Sequence, residues 1–589
     1  MERRADIDFL KGFAIIGVVL YHVGLLPLGY LGVDIFLVVT GFLVVPRVFE
    51  ESARKEFNYF RWLWMRIRRF LPIVVIASAV SLVAGYFVMF PNDYENLGES
   101  VFASELFSNN ILLAYTSNEY WNIANDYKPL LALWYVGLVV QFFAVFPLVV
   151  MTLRCAGRRF VEKHGFIVSL LAICIVGSLV LNLLPGFYQG EIYFYLQFRL
   201  WELCAGASAY YVAVKVNSRK SLPAVLLLIA MTLLLCLEVR SLNEVNNVLN
   251  FEERQPSFSN TVKLSCAVGV VTLSSLWLIL RPQCARFRFM TKLGKMSLSI
   301  FVWHQVLLAF MRYCVTDELT PAILLTYLCA VAVVSYISYK IIEPVRLKRP
   351  ASIISYGILW AVLLGTSYYI YYRAGVFRDV PELGITVENP YALRNTEYVD
   401  HINSWNRNFE TDRPKVLIVG ESFARDFACC LENWDKFDSL EVSYRHNLVG
   451  DDPRYQQSDY IFIYGNKRDV PSHFWDKVRP DAKVYGIGPK YFGKTQGLIY
   501  SRRGRADYYN TTVEVPSNMK TKNEKWKAEW GDNYIDFLGA SLNADGRINI
   551  FTPDSMFVSF DCLHLTPAGA RYFEPKLGFE RFFEVSVER

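Results

Sequence analysis

The sequence predicts a multi-span α-helical membrane domain followed by an α/β domain with a parallel, doubly wound sheet. Up to about residue 373, apolar runs of roughly twenty residues alternate with short basic patches. Beyond that point the chain is mixed and polar, and from residue 415 short apolar strands alternate with helical segments. A chain of 589 residues also exceeds what one hydrophobic core usually supports. At least two domains are therefore expected.

Eleven membrane spans are expected, because about 18–25 apolar residues in a helix cross the ~30 Å hydrocarbon layer with every backbone group paired. They are placed at residues 9–26, 31–48, 71–90, 133–153, 165–184, 196–214, 222–238, 261–280, 296–313, 321–343 and 352–372. The segment 100–117 is largely apolar but contains the polar residues Glu105, Asn109 and Asn110. This composition predicts a re-entrant or interfacial helix. The domain boundaries follow as a membrane domain of ten spans at 1–346, an additional transmembrane helix at 347–373, a linker at 374–410 and the α/β domain at 411–589.

Basic residues predict the orientation of these spans, because Lys and Arg are retained on the cytoplasmic side. With the N-terminus inside, the inner loops hold about two dozen of them, whereas the outer loops hold only Lys128, Arg240, Arg254 and Arg312. An odd number of spans then places the C-terminal domain outside. We therefore expect a multi-pass protein of the bacterial inner membrane, in contact with membrane lipid, with a periplasmic C-terminal domain. The net charge of +6 is small for this length and gives no reason to expect nucleic-acid binding.

The cysteines give no metal-ligand spacing, so no metal is expected. Eight of the eleven cysteines lie in or beside the predicted spans, where an isolated Cys is usually a small buried apolar residue. The other three, Cys429, Cys430 and Cys562, fall in the predicted oxidising compartment. They are compatible with one disulfide that involves Cys562, or with three thiols.

Span 1 contains two ionisable side chains, Lys11 and His22. Eleven residues make roughly three helical turns, so both lie on one helix face about 16 Å apart along the axis. Ionisable groups within spans are costly to bury and are functional candidates for that reason. The face offers an anion anchor at the cytoplasmic mouth and, deeper, a group that exchanges protons near neutral pH. The alternative is a snorkelling lysine with a structural histidine.

Four further motifs place polar residues in or beside spans. They are "GYLGVDIFLVVTGFL" with Asp34, "MRIRRFLP" with Arg66, Arg68 and Arg69, "FRLWELCAG" with Arg199 and Glu202, and "MSLSIFVWHQ" with His304. In this order, and with the Lys11–His22 spacing, they resemble the acyltransferase-3 family of membrane-bound O-acyltransferases over residues 5–346. "LWYVGLVVQFF" departs from that family, because Val139 and Val140 stand where carboxylates are common.

The resemblance implies an acyl-CoA donor, usually acetyl-CoA, taken from the cytoplasm, and no permanently bound cofactor. Lys11, Arg66, Arg68 and Arg69 would then face the phosphates of CoA, since the planar guanidinium fork suits phosphate. These residues are also what the positive-inside rule alone would place there. His22 corresponds to the family's catalytic histidine, with general-base attack on the thioester as its expected role. Asp34, Arg199, Glu202 and His304 are further site candidates.

The C-terminal half contains the apolar strands "KVLIVG", "LEVSYR", "DYIFIYG", "AKVYGIG" and "INIFT", with a helix around 423–434 and a final helix near "TPAGARYF". Strands that alternate with helices form parallel sheets, and their ligands bind beyond the carboxyl ends of the strands. Ser422, Asn466 and His564 are expected at such ends.

"GESFARDF" and "DCLHLTPAGA" resemble the SGNH hydrolase-like domain that is fused to some acyltransferase-3 proteins, over about 410–589. The resemblance implies that Ser422 is the nucleophile, His564 its base and Asp561 the group that orients the base. It offers Asn466, and more weakly Gly450, as oxyanion donors, besides the Ser422 amide at a helix N-terminus. The alternative for Ser422 is a simple helix N-cap.

These residues favour an O-acetyltransferase that moves an acetyl group from cytoplasmic acetyl-CoA to a hydroxyl of a periplasmic surface polysaccharide. The acceptor would be O-antigen, lipooligosaccharide or another lipid-linked glycan. Peptidoglycan is the alternative acceptor. Two other classes stay open, a periplasmic carbohydrate esterase with a membrane anchor and a transporter of a small solute.

Overall fold

A computed structural model of the chain describes residues 4–54, 56–116, 125–161, 164–187, 189–216, 230–231, 258–280, 287–316, 318–345, 347–391, 397–448, 451–493 and 495–583. The chain folds as two compact units. The first comprises residues 1–87 and 96–369, and the second comprises 88–95 and 370–589. Of the predicted features, Gly450, Arg240, Arg254 and the span at 222–238 except residues 230–231 lie outside the described residues.

The described chain up to residue 372 consists of α-helices, short 3-10 turns and connecting loops. Its helices are α1 (Ala5–His22), α2 (Gly32–Ser52), α3 (Tyr59–Ile67), α4 (Leu71–Val88), α5 (Pro91–Glu105), α6 (Asn109–Thr116), α7 (Leu133–Val161), α8 (His164–Leu183), α9 (Gln189–Phe194), α10 (Leu196–Val216), α11 (Phe258–Leu280), α12 (Arg288–Lys295), α13 (Ser297–Cys314), α14 (Pro321–Ile341) and α15 (Pro350–Tyr372).

Among the described residues, seven helices are long and apolar enough to cross a membrane, or eight if α12 and α13, bent by 70°, form one span. The seven lie in α2, α4, α7, α8, α11, α14 and α15. The predicted helical membrane domain is therefore confirmed, while the number of eleven spans stays a prediction. Helices α1 and α10 coincide with two further predicted spans, and both carry charged residues of the candidate site.

Two segments of the first unit differ in detail from the sequence prediction. Helix α1 ends at His22 rather than at residue 26, because Gly24 takes a left-handed conformation (φ +76°) that ends the helix. The segment predicted as one re-entrant or interfacial helix is broken between α5 and α6. There the side-chain amides of Asn110 and Gln141 bond each other at 2.8 and 3.1 Å.

Two glycines allow α2 and α10 to pack at very short range. A Cβ on Gly41 would lie 1.8 Å from the Leu203 carbonyl oxygen, and one on Gly206 would lie 1.9 Å from the Val38 carbonyl oxygen. Small residues at such crossings let membrane helices approach backbone to backbone. This crossing brings the polar residues of α2 and α10 together.

The second unit is built on a five-stranded parallel sheet in the order β2-β1-β3-β4-β6. The strands of the unit are β1 (Lys415–Val419), β2 (Glu441–Arg445), β3 (Tyr460–Tyr464), β4 (Lys483–Ile487), β5 (Thr512–Val513), β6 (Tyr534–Ile535) and β7 (Ile548–Asn549). Strands β5 and β7 form a separate antiparallel pair. Its helices are α16 (Glu397–Ser404), α17 (Ser422–Glu432), α18 (Arg454–Gln457), α19 (Ser472–Trp475), α20 (Gln496–Tyr500), α21 (Ser517–Trp530), α22 (Phe537–Ser541) and α23 (Pro567–Leu577). The predicted parallel α/β domain is confirmed.

The strand order reverses direction at β1, since β2 lies on one side of it and β3 on the other. In open α/β sheets, ligands bind at this switch point, outside the carboxyl ends of the strands. Ser422 follows β1 and Asn466 follows β3, so both residues lie at the switch point. His564 lies elsewhere in the topology than predicted, because it belongs to the loop before α23 and follows no strand of the sheet.

Two other sequence assignments in this unit are changed by the structure. "INIFT" does not join the parallel sheet, because its strand β7 pairs with β5 instead. The fifth strand of the sheet is β6, whose two residues are too short a run to give a strand signal. Residues of the predicted linker are packed in a core of this unit, where Val376, Val380 and Leu383 lie with Phe557.

Candidate active sites

The first unit brings together two histidines that are far apart in the sequence. His22 is the last residue of α1 and His304 lies in α13, and their ring centroids are 5.2 Å apart. His304 is fully buried, and its Nδ1 lies 3.1 Å from the Ile300 carbonyl oxygen. That contact assigns the proton of the neutral ring to Nδ1. Nε2, which has no hydrogen-bond partner among the described residues, is then the proton acceptor.

Arg312 adds a buried cation beside this histidine pair. Its guanidinium donates to the carbonyl oxygens of His22 at 3.2 Å and of Asp126 at 2.8 Å. The sequence assigns Arg312 and Lys128 to outer loops, but both side chains are buried. The backbone of Lys128 also accepts a hydrogen bond from Gln305, next to His304, at 3.1 Å. The sequence did indicate that Arg312 is buried, because the predicted span at 296–313 includes this arginine.

Asp34, Arg199 and Glu202 form a second buried polar cluster in the first unit. The Arg199 guanidinium lies 3.2 Å from a carboxylate oxygen of each acidic residue, and Arg199 also lies over the Tyr193 ring at 5.2 Å. Asp34 and Glu202 are fully buried. The sequence predicted the Arg199–Glu202 neighbourhood from the helical spacing. Asp34 on α2 reaches Arg199 because α2 and α10 cross at short range at Gly41 and Gly206.

Contacting aromatic rings connect the two buried clusters. Tyr21, next to His22, contacts Tyr30 at 5.3 Å between ring centroids, and Tyr30 contacts Tyr193 at 6.2 Å. Tyr193 in turn lies under Arg199. The histidine pair and the ionic cluster therefore border one aromatic-lined region of the helical unit.

The predicted basic residues occupy two places. Arg66 lies over the Trp62 ring at 4.7 Å and is within electrostatic range of Arg47 and Arg69, while Arg68 follows α3. Lys11 lies on α1, where the adjacent Gly12 packs against α12.

Two contacting aromatic rings, Tyr135 and Phe301, extend from His304. Arg69 is also within electrostatic range of Tyr135. The Tyr135 ring contacts Phe301 at 5.4 Å, and Phe301 contacts His304 at 5.9 Å.

In the second unit, a tight turn positions Ser422. Buried strand β1 ends at Val419, and Gly420 at φ +140° turns the chain into α17, whose first residue is Ser422. Ser422 is buried at 6% exposure. The first N–H groups of a helix have no acceptor within the helix and favour negative charge. A group that forms an ester with Ser422 would thus meet oxyanion donors.

Asp561 and His564 form a close pair in the loop before α23. The Asp561 carboxylate lies 2.5 Å from His564 Nδ1 and accepts the backbone N–H groups of Leu563 at 3.0 Å and His564 at 2.8 Å. Burial opposes ionisation of Asp561, but the His564 contact and the two amide hydrogen bonds outweigh it and hold the pKa of that carboxyl below its usual range. The arrangement orients the imidazole, with Nδ1 toward the carboxylate and Nε2 as the basic nitrogen.

Phe423, the residue after Ser422, lies near this pair and near the segment that carries Asn466. Its ring lies 6.1 Å from the His564 ring and stacks on Tyr464, the last residue of β3, at 4.7 Å. Asn466 is buried, and its side-chain oxygen accepts the Arg468 N–H at 3.3 Å. Its NH2 group is the part able to act as an oxyanion donor.

A buried ion pair that no sequence motif indicated lies beside these residues. Lys490 contacts Asp426, and neither side chain is more than 1% exposed. Lys490 also lies 4.3 Å from the centroid of the Phe423 ring. Burial lowers the pKa of Lys490, and the charges of Asp426 and Asp561 oppose that change. No motif marked this pair, because its members come from different elements.

Cys429, Cys430 and Cys562 are buried free thiols, so no disulfide joins them. Burial and the Asp561 charge raise the pKa of Cys562, and burial raises that of Cys430. These two thiols therefore stay protonated near neutral pH.

Comparisons with known proteins concern mainly the helical unit. A family model described as an acyltransferase domain (Acyl_transf_3) matches residues 4–340. The O-acetyltransferase OatA of Staphylococcus aureus strain NCTC 8325 / PS 47 is 26% identical over 357 residues, or 58% of this chain and 57% of OatA. The inferred O-acetyltransferase SAS0844 of S. aureus strain MSSA476 is 21% identical over 471 residues, or 72% of this chain and 75% of that protein. No solved structure matches the chain.

The match covers less than two thirds of the length of OatA. The family match includes every candidate residue of the helical unit, from Lys11 to His304, and extends over more than half of the chain. It confirms the predicted family and enzyme class. This chain belongs to the acyltransferase family that the Acyl_transf_3 domain defines.

Proposed function

We propose that this acyltransferase transfers an acetyl group from cytoplasmic acetyl-CoA to a hydroxyl of a periplasmic surface polysaccharide, such as O-antigen or lipooligosaccharide. The observation that carries the proposal is one histidine centre in each unit. His22 and His304 lie together among the acyltransferase helices, whereas Asp561 and His564 lie near Ser422 in the α/β unit. A charged cytoplasmic donor and a large outer acceptor cannot cross the bilayer, so each requires its own site.

The donor reaction is assigned to the helical unit. Lys11, Arg66, Arg68 and Arg69 would hold the phosphates of CoA, and the contacting rings of Tyr135 and Phe301 extend from His304. An attacking hydroxyl gives its proton to an imidazole of the His22–His304 pair, while the hydroxyl oxygen bonds the acetyl carbon. The thioester C–S bond breaks, and the imidazolium returns the proton to the CoA thiolate. The ester so formed then gives its acetyl group to Ser422: the Oγ proton passes to His564 Nε2, Oγ bonds the acetyl carbon, and the first hydroxyl leaves with that proton.

The acceptor reaction is assigned to the α/β unit, as an SGNH-like transfer through an acetyl ester on Ser422. A sugar hydroxyl would give its proton to His564 Nε2 and attack the ester carbon. The sugar ester then forms, the bond from that carbon to Ser422 Oγ breaks, and the proton passes to Oγ. Asp561 stabilises the transient imidazolium, and the first-turn amides of α17 hold the oxyanion.

The test is glycan acetylation in intact bacterial cells that express the full chain. Mass spectrometry measures acetyl groups on the surface glycan and on the peptide that contains Ser422. We expect loss of glycan acetylation in His22→Ala, Arg69→Ala and Ser422→Ala. His401→Ala serves as the matched control, because His401 is a half-exposed surface histidine that pairs with Glu432.

The alternatives give different outcomes in the same cells. If the protein is an esterase with a membrane anchor, Ser422→Ala raises glycan acetylation, whereas His22→Ala leaves it unchanged. A transporter does not require Ser422. If peptidoglycan is the acceptor, the same variants lose acetyl groups from the cell wall and not from the outer glycan. A topology reporter at the C-terminus must also lie in the periplasm, and a cytosolic position would overturn the proposal.

A further inference from the structure

The buried ion pair of the α/β unit lies between the two segments that carry the proposed triad. Asp426 is four residues after Ser422 and therefore neighbours it on the surface of α17. One oxygen of its carboxylate, Oδ2, contacts the Lys490 ammonium. The same oxygen accepts the backbone N–H of Leu565 at 2.9 Å. Asp426 is thus bonded to the residue that directly follows His564.

The segment that carries Lys490 holds the same loop at a second point. Lys490 is three residues beyond the carboxyl end of β4, and Phe492 donates its backbone N–H to the Cys562 carbonyl at 2.9 Å. Cys562 has φ +78°, a left-handed conformation that costs free energy for a residue other than glycine. The loop is therefore fixed on both sides of His564, at the Cys562 carbonyl and at the Leu565 amide.

Fold stability alone gives a weak reason for this pair. Two charges lose their hydration on complete burial, and apolar residues of similar volume often serve the fold equally well. A carboxylate at this position has one property that an apolar side chain lacks, since it bonds the Leu565 amide. Acyl transfer is sensitive to errors of about 1 Å in the position of a catalytic group.

We propose that Asp426 is a positioning residue for acyl transfer, which sets the distance between Ser422 and His564 by holding the Leu565 amide, with Lys490 as its fixed counter-ion. This inference rests on the proposed function of Ser422 as the acyl-carrying nucleophile. Asp426 acts through His564 and touches neither acyl group nor acceptor.

The experiment uses the full chain in detergent and a fluorophosphonate probe, which phosphonylates an activated serine with loss of fluoride. Two double variants separate the amide bond from the charges. Asp426→Asn with Lys490→Met removes both charges but keeps an oxygen that accepts the Leu565 N–H. Asp426→Leu with Lys490→Met removes the acceptor as well. The rate of Ser422 labelling and the thermal unfolding midpoint are measured for both.

A partly exposed ion pair at the opposite end of the sheet provides a control with the same kinds of partner. Asp459 bonds Arg479 at 2.6 Å and accepts the N–H of Lys415, the first residue of β1, at 2.7 Å. Asp459→Leu with Arg479→Met therefore removes a carboxylate with the same two kinds of partner, far from the carboxyl ends of the strands. We expect this variant to label Ser422 at the unaltered rate.

We expect the Asn-containing variant to label close to the unaltered rate and the Leu-containing variant to label about a hundredfold more slowly while folded. A folded Leu-containing variant with the unaltered rate would overturn the proposal. If that variant does not fold, the Asn-containing variant decides. Labelling near the unaltered rate supports the proposal, and a folded chain with slow labelling contradicts it.

Failure of both double variants to fold also contradicts the proposal, because the pair would then be required for folding itself. If the unaltered chain is not labelled at Ser422, the proposed function fails and this inference fails with it. Normal labelling of both the unaltered chain and the Leu-containing variant is a different result. It overturns this inference and leaves the proposed function intact.

Discussion

The two units hold their histidines in different ways. His564 bonds a carboxylate, and its loop is fixed by side-chain and backbone contacts from two other segments. His304 bonds the carbonyl oxygen of its own helix and contacts the ring of His22. The first arrangement stabilises a positive imidazolium as well as orienting the ring, whereas the second only orients a neutral ring. The orientation of His564 therefore depends on a charged partner, whereas that of His304 depends on its own helix and on helix packing.

The sharpest test of this contrast is Asp561→Asn. Asn keeps the shape of the side chain but loses the charge and can favour the wrong tautomer, so Ser422 labelling should fall by about 10³–10⁴-fold. The fold should be retained. Asp554→Asn, an exposed aspartate of the same region, is the control. Labelling at the normal rate in Asp561→Asn would remove the carboxylate from the proposed triad.

His304→Ala should affect the other centre alone. We expect transfer from acetyl-CoA to fall by about a hundredfold, because a base or its positioning partner is lost. Ser422 labelling should not change, since the probe bypasses the donor reaction. The exposed His473→Ala is the control. A parallel loss of transfer and labelling would show that the two centres are not separable.

Gly206→Ala should separate packing from chemistry in the helical unit. The added Cβ would lie 1.9 Å from the Val38 carbonyl oxygen and force α2 and α10 apart. A destabilisation of about 1–3 kcal/mol is expected, together with weaker transfer as the Asp34–Arg199 contact lengthens. Thermal unfolding in detergent and the transfer assay measure the two effects. Gly177→Ala is the matched control, because nothing lies within 4 Å of its added Cβ.

The smallest expected effect is a pH-dependent one in the α/β unit. Burial opposes ionisation of Glu441, but hydrogen bonds from the Glu410 and Thr411 amides and the Thr411 hydroxyl outweigh it and lower the pKa. The unfolded chain therefore binds the proton first as pH falls. The stabilisation is present above the ordinary Glu pKa and is lost as pH falls through the folded value.

Glu441→Gln should thus raise amide hydrogen exchange around residues 408–416 by roughly tenfold at pH 7. The difference should shrink below about pH 4 once rates are corrected for intrinsic exchange. The exposed Glu524→Gln is the control. An equal difference at both pH values would contradict the role of the Glu441 charge.

Local pattern was enough to predict much of the fold. Apolar runs marked the spans because the bilayer requires long apolar helices. Buried runs such as "KVLIV" marked the strands of the parallel sheet, while β6, with two residues, left no pattern. Asp561 and His564 were predicted as partners from the resemblance of "DCLHL" to SGNH proteins. They are three positions apart, so one loop conformation sets their contact.

The sequence by itself determined which segments form long apolar helices, which become strands of the parallel sheet and where the candidate site residues lie along them. Only the tertiary structure decided which side chains meet. Asp34 and Arg199 are 165 residues apart, Lys490 and Asp426 are 64 apart, and His22 and His304 come from different helices. The physical reason is that periodicity shows how apolar a face is but not which face it packs against. That choice depends on close contacts such as the one at Gly41 and Gly206, which form only when distant segments assemble.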